Sequence, residues 1–416
     1  MKIRHIKMMI PILGVMIFLL CGCGKENTID YSDTYIFGQD SQETFMNYQN
    51  QCYFAADEKN YYYFDDKKYF LYTVDKITHH CQPMCNKSNC LHDKETDFDR
   101  MKECSAYLGV LSKNMLLYDN KIYYATETEY EDKDGNKYTA KEIYSINPDT
   151  LKRKLVFSDT GIAIWWFKIH RGYIYYAASP FYTKDDLNDV ITKPGAVGAD
   201  QSLYKLALGE DADKAIELIP YHEYGIQVNM NIINSRFYGN HLFLQIDRLL
   251  DEETQTRKQY LINYDLQTND YKILNENDEF NITGLTSIMD SKLYFPDKSK
   301  IYECDFNGEN IREIADFKNT QFGNYSSYHI VNNDGKNLVV AFGNDTTAES
   351  TLAFLTKSED KFEMSFHKFE NLAIDSNFLF TFCGCDEKAF IVRSEDKLYY
   401  IDKVTDKMEE LYTFNE

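Results

Sequence analysis

Near its start the chain contains Tyr72-Thr73-Val74-Asp75-Lys76-Ile77-Thr78, and near its end Tyr399-Tyr400-Ile401-Asp402-Lys403-Val404-Thr405. Both segments alternate apolar and polar residues up to an aspartate, and a threonine follows three positions later. Alternation with a period of two indicates a strand with one buried face. An aspartate side chain accepts hydrogen bonds from amides two residues on, which favours a tight turn. Each segment therefore predicts a strand end and a hairpin turn into an antiparallel strand.

Looser copies of this segment recur along the chain. Their equivalent positions, called anchors below, are Asp75, Asn147, Ala207, Asp265, Asp305, Thr356 and Asp402. Successive anchors are 72, 60, 58, 40, 51 and 46 residues apart. A polar turn followed by an apolar strand, such as Asp290-Ser291-Lys292-Leu293-Tyr294-Phe295, precedes most copies. Each unit therefore holds about four strands.

Four-stranded units spaced by roughly 40 to 50 residues are typical of β-propeller blades. We therefore predict an all-β fold with a single β-propeller of seven four-stranded blades and the longest insertions in the first three intervals. A row of β-sandwich domains would also give short strands and turns, but it would need linkers between domains. No Pro-rich, Gly-rich or Ser-rich linker separates the units.

The N-terminal residues resemble a bacterial lipoprotein signal. Three basic residues precede an apolar stretch, Met8 to Leu20. This stretch is too short to cross a bilayer, since spanning takes about 20 residues. Leu20-Cys21-Gly22-Cys23 then resembles a lipobox, which implies cleavage after Gly22 and diacylglycerol on Cys23. We predict a signal peptide at 1–22, a lipid-anchored tether at 23–44 and the propeller at 45–416. The protein would then sit on the extracytoplasmic face of the cell membrane, held there by the lipid.

The hairpin pattern resembles the blades of TolB-like and YWTD-type (low-density-lipoprotein-receptor-like) propellers. Together with the lipobox and a cysteine-rich segment, it resembles uncharacterised surface lipoproteins of Gram-positive bacteria. The resemblance implies a propeller lipoprotein and covers nearly the whole mature chain. It implies no binding residues.

The cysteine-rich segment lies at 81–104, where the first blade should connect to the second. Its thiols and imidazole belong to Cys81, Cys85, Cys90, His92 and Cys104. Eight cysteines remain once Cys21 and Cys23 are set aside, and an even number in an exported protein favours disulfides. Thiolate and imidazole groups are also the ligands of structural zinc. Disulfides, structural zinc and reduced or redox-active thiols all stay open at this point.

Three further cysteines are candidate disulfide partners for this segment: Cys52, Cys383 and Cys385. Cys383-Gly384-Cys385 falls in the last blade, which ring closure would place beside the first. Strand alternation predicts that both of these side chains lie on one face. Cys304, alone in a strand, is expected to be a buried apolar residue.

The formal net charge of −21 becomes −24 without residues 1–22, because these residues hold three basic and no acidic side chains. Such a surface repels nucleic-acid phosphates, so we expect no nucleic-acid binding. No Gly-x-Ser-x-Gly elbow is present. We expect a membrane-anchored binding or scaffolding propeller for a protein, peptide or glycan, with its binding residues unknown. Candidate contact regions are the connections at 82–110 and 180–200, and candidate contact residues are Tyr182, Tyr221 and Tyr224.

The alternative is an extracytoplasmic hydrolase or lyase with carboxylates in the central channel. It predicts that three or more acids or histidines converge on the ring axis. Asp185, Asp186 and Asp189 form one acidic cluster in the sequence, but a solvated surface is the favoured explanation, since clusters arise by chance among 66 acidic residues. A third interpretation is an envelope-assembly factor, which would co-purify with partner proteins.

Overall fold

A computed structural model describes residues 32–34, 36, 39–40, 53–109, 111–131, 133, 135, 137–160, 162–180, 201–219, 230–251, 253–254, 256–276, 280–325, 327–343, 351–359, 361–368, 382–394 and 396–414. All of them belong to one compact unit, Ser32–Glu416. Several predictions fall outside the described residues. They concern the signal peptide, Cys23, Cys52, the acidic cluster at 185–189, and Tyr182, Tyr221 and Tyr224.

The described strands form seven four-stranded antiparallel sheets arranged in a ring, as predicted. Blade one consists of β1 (Phe54–Ala56), β2 (Asn60–Asp65), β3 (Phe70–Asp75) and β4 (Cys81–Pro83). Blade two consists of β5 (Leu111–Tyr118), β6 (Lys121–Glu131), β7 (Lys137–Ile146) and β8 (Arg153–Asp159). Blade three consists of β9 (Ile162–His170), β10 (Tyr173–Pro180), β11 (Ser202–Ala207) and β12 (Ile216–Ile219).

The remaining blades are β13 (Met230–Tyr238), β14 (His241–Asp251), β15 (Thr256–Asp265) and β16 (Tyr271–Ile273); β17 (Ser287–Met289), β18 (Lys292–Asp297), β19 (Lys300–Cys304) and β20 (Arg312–Asp316); β21 (Ser327–Asn333), β22 (Asn337–Gly343), β23 (Thr351–Ser358) and β24 (Lys361–Lys368); and β25 (Phe382–Cys385), β26 (Ala389–Ser394), β27 (Lys397–Asp402) and β28 (Met408–Thr413). Helical structure among the described residues is limited to α1 (Phe98–Lys102) and two 3₁₀ turns, His92–Lys94 and Ala212–Lys214.

The anchors occupy equivalent positions in the blades. Five of them pair directly with the first residue of the second strand of their blade, for example Asp75 with Asn60 and Asp402 with Ala389. Thr356 is one of these five, opposite Asn337, although its strand continues to Ser358 before turning. The repeat therefore marks the same register in these five blades, while the length of the third strand varies.

The turn after the anchor has the same geometry in four blades. The anchor side chain of Asp75, Asn147, Asp265 or Asp402 accepts hydrogen bonds from the amides two and three residues later. The next residue has a positive φ and donates its amide to the anchor carbonyl; these residues are His79, Leu151, Asn269 and Asp406. Because the side chain holds the turn closed, a residue other than glycine is tolerated in the left-handed region.

Blades one and seven meet at what we call the closure seam. Gly384 has no room for a side chain, because a Cβ atom there would lie 2.2 Å from the ring of Phe54. Phe414 follows the last strand and packs against Tyr63 and Tyr72 of the first blade, with ring centroids 5.9 and 5.2 Å apart. Each blade consists of four consecutive strands, so no described sheet combines strands from the two ends of the chain. The ring of described strands is therefore closed by side-chain packing between blades one and seven.

Polar side chains link neighbouring inner strands. Asn114 donates to the Phe167 carbonyl at 2.8 Å, Lys168 to Ser235 at 2.7 Å, Asn234 to Thr286 at 3.3 Å, Asn333 to Ile288 at 2.9 Å and Asn332 to the Cys385 sulfur at 3.0 Å. Each of these bonds crosses from one blade to the next. Buried backbone carbonyls at the centre of the ring are thereby satisfied without strand pairing between blades.

Part of the predicted tether is docked on the propeller. Asp40, 2% exposed, accepts a hydrogen bond at 2.6 Å from Arg171 of the third blade. Asp33 lies against Gly239 of the fourth blade, where a Cβ would come within 2.6 Å of the Asp33 carbonyl carbon. A buried carboxylate needs such a partner, so Asp40 is held by blade three, while Asp33 lies against blade four.

Candidate functional site

Four side chains of the cysteine-rich segment meet at one point. The ligand atoms of Cys85, Cys90, His92 and Cys104 all lie within 4.8 Å of one another. The Cys104 sulfur is 3.6 Å from His92 Nδ1. Cys104 is buried and the other three are half-buried. The three cysteines of this cluster, Cys85, Cys90 and Cys104, carry free thiols.

The local backbone brings these side chains together. Residues 84–109, called the cysteine loop below, connect β4 to β5. His92 has a φ of 56°, so the chain turns sharply at a residue other than glycine. The short helix α1 is capped by the Asp97 carboxylate, which accepts from the amides of Asp99 and Arg100. Cys104 follows this helix, its amide bonded to the Met101 carbonyl at 3.0 Å.

The end of the cysteine loop is fixed to blades one and two. Phe70 and Tyr107 form an antiparallel bridge, and the Leu108 amide donates to the Tyr69 carbonyl at 2.9 Å. The Arg153 guanidinium from β8 donates to the carbonyls of Ser105 and Tyr107, both at 2.6 Å. Cys104 is therefore held against the scaffold, and the other three ligands converge on it.

Proton affinities differ within the cluster. Burial opposes ionisation of Cys85, but hydrogen bonds that include the backbone amides of Lys87 and Ser105 lower its pKa to about 6. Burial and the neighbouring thiols Cys90 and Cys85 raise the pKa of Cys104 to about 12. Cys85 therefore loses its proton more readily than Cys104, and a bound cation would favour release of the protons that remain.

The donor set fits a metal ion. Three thiolates and one imidazole form a closed tetrahedral set of the kind found in structural zinc sites. Ligand distances of about 2.0–2.3 Å place the ligand atoms roughly 3.6 to 3.8 Å apart. In this structure the ligand atoms lie up to 4.8 Å from one another, which is about 1 Å more than that range. The cluster could therefore bind a metal with small side-chain movements.

Asp93, next to His92, was not predicted from the sequence. Its carboxylate is 5% exposed and accepts hydrogen bonds from Tyr72 at 3.0 Å and Tyr412 at 2.7 Å. Burial, together with the negative charge of Asp93, raises the pKa of both tyrosines, which keeps them protonated as donors. Tyr72 belongs to blade one and Tyr412 to blade seven, so the cysteine loop contacts both sides of the closure seam. No sequence signal marked this residue among many acids.

The remaining predicted site residues lie elsewhere. Cys81 is on β4 as predicted, but it is not in the cluster; burial and the charge of Asp93 raise its pKa to about 12. Cys304 is fully buried. Cys383 packs against the core of the closure seam, whereas Cys385 packs between blades six and seven. The prediction that Cys383 and Cys385 share a face is wrong, because a register shift between Phe382 and Gly384 interrupts the alternation.

A second feature is a cavity of about 1140 Å³ at the centre of the ring. Residues of six blades line it, mainly from the turns between first and second strands, and Asp40 lines it on the side of the third blade. Its carboxylates are Asp40, Asp57, Glu58, Asp119, Asp149, Asp290, Asp334, Asp386 and Glu387, against two lysines, Lys59 and Lys76. None of its described lining residues is a histidine.

Several of these carboxylates have structural partners. Asp57, Asp334 and Asp386 each accept hydrogen bonds from amides of their own turn. Lysines directly after an anchor reach the turn of the preceding blade: Lys357 to Asp290 at 2.8 Å, Lys403 to Asp334 at 2.7 Å, and Lys76 to Asp386 at 2.9 Å. The sequence contained this signal, since a lysine follows the anchor in blades one, six and seven. Glu58, Asp149 and Glu387, by contrast, are exposed on the rim.

No protein-family model matches this sequence, and neither does any curated protein. Solved structures of similar fold include oligogalacturonate lyase from Vibrio parahaemolyticus, at 8% identity over 80% of this chain and 78% of that chain, with a TM-score of 0.39. Puromycin hydrolase is 9% identical over 92% of this chain and 57% of its own length, with a TM-score of 0.49. TolB from Acinetobacter baumannii is 11% identical over 70% and 69%, with a TM-score of 0.31. The likeness concerns the propeller fold.

Among the described residues, no helix has the length and apolar character needed to cross a bilayer.

Proposed function

We propose that this protein is a membrane-anchored, extracytoplasmic binding propeller that takes a positively charged segment of a protein or peptide into its central cavity. The observation that carries this proposal is the charge of the cavity lining. Of its nine carboxylates, five are paired with basic side chains (Asp40, Asp119, Asp290, Asp334 and Asp386), which leaves Asp57, Glu58, Asp149 and Glu387 against Lys59. A concave, low-dielectric wall of one sign attracts and orients ligands of the opposite sign. A cavity of this size is large enough for several side chains.

The rim and the interior of the cavity have different roles in this proposal. The inner carboxylates Asp334 and Asp386 are engaged with lysines; burial opposes their ionisation, but these lysines hold the pKa of both below the usual range. They shape the wall and stay charged. The exposed Glu58, Asp149 and Glu387 are left to contact the lysines or arginines of a ligand.

The alternative, a hydrolase or lyase, has the converging acids that it requires. General acid catalysis, however, needs a carboxyl group whose pKa lies near the working pH. The pKa values of Asp334 and Asp386 are lowered, so neither carboxyl group meets this requirement. A polyanionic sugar such as oligogalacturonate would also be repelled by this lining. These observations support binding over catalysis.

Membrane attachment rests on the lipobox resemblance at Leu20-Cys21-Gly22-Cys23. Buried acyl chains contribute about 0.8 kcal/mol per methylene, so lipid on Cys23 would hold the chain at the membrane surface. The cavity would then be presented outside the cell.

Calorimetric titration of the full chain with oligolysine and with oligoglutamate tests the proposal. We expect binding of oligolysine alone, weakening as salt rises. A triple variant, Glu58→Gln with Asp149→Asn and Glu387→Gln, should bind about tenfold more weakly, which corresponds to ~1.4 kcal/mol. Equal binding of both peptides, or of neither, would refute the proposed ligand class.

The matched control changes the same number of charges away from the cavity. Asp213→Asn, Glu309→Gln and Glu363→Gln lie at exposed positions that do not line it. If this control weakens oligolysine binding as much as the rim variant does, the attraction comes from net charge and not from the cavity.

A further inference from the structure

The middle of the cysteine loop, residues 85–105, buries almost no apolar side chains. Of the 21 residues from 85 to 105, only Asp93 and Cys104 are buried. Ordering such a segment costs conformational entropy that apolar burial does not offset here. A cross-link or a bound metal is the usual compensation in small substructures of this kind.

The geometry favours a metal over a disulfide. Three sulfur atoms and one imidazole nitrogen lie within 4.8 Å of one another, which is an odd number of thiols around a common centre. A disulfide would join two of them and leave the third thiol and His92 without a function. A tetrahedral ion uses all four, and zinc prefers this donor set.

The cluster is also coupled to the closure seam through the backbone. His92 and Asp93 are adjacent in one 3₁₀ turn, His92–Lys94. The His92 ring faces Cys104, while the Asp93 carboxylate receives hydrogen bonds from Tyr72 and Tyr412. Displacing His92 therefore displaces the carboxylate that both blades contact.

We propose that Cys85, Cys90, His92 and Cys104 bind one zinc ion, and that this ion holds Asp93 in the seam between the first and the last blade. The site is structural, since the protein supplies all four ligands and leaves no open position for a substrate. Zinc binding then stabilises ring closure as well as the loop. This inference is independent of the cavity and its ligand.

Metal analysis of the full chain, purified without oxygen, added reductant or chelator, is the first test. We expect one zinc ion per chain and its loss in Cys104→Ala. Cys81→Ala is the matched control, because Cys81 is a buried cysteine of the same segment outside the cluster, and it should retain the ion. Zinc absent from the wild type, or lost equally in both variants, would overturn the assignment.

Cobalt substitution avoids the risk that Cys104→Ala fails to fold. Wild-type protein stripped of metal and titrated with Co²⁺ should show tetrahedral d–d bands and thiolate charge-transfer bands that zinc abolishes. An octahedral spectrum, or a disulfide among Cys85, Cys90 and Cys104 found by mass spectrometry of the same sample, would contradict the site.

Hydrogen exchange tests the coupling to the seam. Removing the metal should accelerate exchange in the cysteine loop and in β28, and leave β14 and β15 of the fourth blade unchanged. In Tyr412→Phe the ion should stay bound, and the effect of its removal on β28 should shrink. Faster exchange confined to the loop would leave the metal site standing but refute its role in ring closure.

Discussion

Asp93 and Tyr412 lie 319 residues apart in sequence, yet the tyrosine hydroxyl donates a hydrogen bond of 2.7 Å to the buried carboxylate. Tyr72 donates to the same oxygen from the opposite side of the seam. Propellers must join their last blade to their first, and here a loop inserted after the first blade takes part in that joint. The cysteine loop is thus part of the ring and not an appendage.

Asp93→Ala should lower the free energy of unfolding by about 3 kcal/mol, because it leaves the buried Tyr72 hydroxyl and the half-buried Tyr412 hydroxyl without their charged acceptor. Tyr412→Phe removes one of these hydrogen bonds and should cost about 1 to 2 kcal/mol. Urea unfolding measures both. Asp99→Ala, in the same loop but 93% exposed, is the control and should stay within about 0.5 kcal/mol of wild type.

Two lysines at equivalent positions after their anchors should differ in importance. Lys403 and Asp334 are nearly buried, with side chains 8% and 2% exposed, whereas Lys357 and Asp290 are 28% and 52% exposed. Lys403→Met leaves a buried carboxylate unpaired and should cost about 3 kcal/mol. Lys357→Met should cost less than about 1 kcal/mol. Equal losses in urea unfolding would show that burial does not control these pairs.

Acidification should destabilise the fold through His329. Its Nδ1 accepts the Leu285 amide at 3.2 Å, and burial lowers its pKa to about 4 from the ordinary 6.5. Between these values the unfolded chain binds more protons than the folded one, so stability falls as pH decreases through this window. The expected contribution between pH 7 and pH 5 is roughly 2 kcal/mol.

His329→Gln retains an acceptor for the amide and cannot titrate. The pH dependence of its urea midpoint should therefore be shallower than that of wild type. His80→Gln, at an exposed position, is the control for the substitution itself. A wild-type slope in His329→Gln would mean that other groups account for the loss at low pH.

Membrane attachment should depend on Cys23. Cys23→Ser should move the protein from the membrane to the soluble fraction, and mass spectrometry of the wild-type N-terminal peptide should show diacylglycerol on this residue. Cys21→Ser should keep the lipid, because cleavage after Gly22 removes residue 21. A wild-type protein that remains at the membrane without lipid would refute the lipobox prediction.

The seven blades could be predicted because strand alternation and turn chemistry are local. Asp75 and Asp402 close their turns by hydrogen bonds to amides two and three residues away, so a short window of sequence contains all the information. Thr356 shows the limit of this reading, since its turn lies beyond Ser358 even though its register is equivalent.

The candidate site was predictable only in part. Its four ligands lie close together in sequence, and their residue types indicate thiol or metal chemistry. Cys81 matched the same pattern, but it lies on β4 and is not part of the cluster. Spacing along a loop without regular structure does not determine which side chains converge, because the backbone path depends on long-range contacts such as Arg153 with Ser105 and Tyr107.

By itself, the sequence determined the class of fold, the number and register of the blades and the segment that carries the thiols, since each depends on residues a few positions apart. Only the tertiary structure decided that Cys85, Cys90, His92 and Cys104 form one cluster, that Asp93 joins blades one and seven, and that carboxylates from five blades and Asp40 share one cavity. Ring closure brings residues hundreds of positions apart into contact, and the path of the cysteine loop depends on its contacts with blades one and two, so no local pattern encodes these relationships.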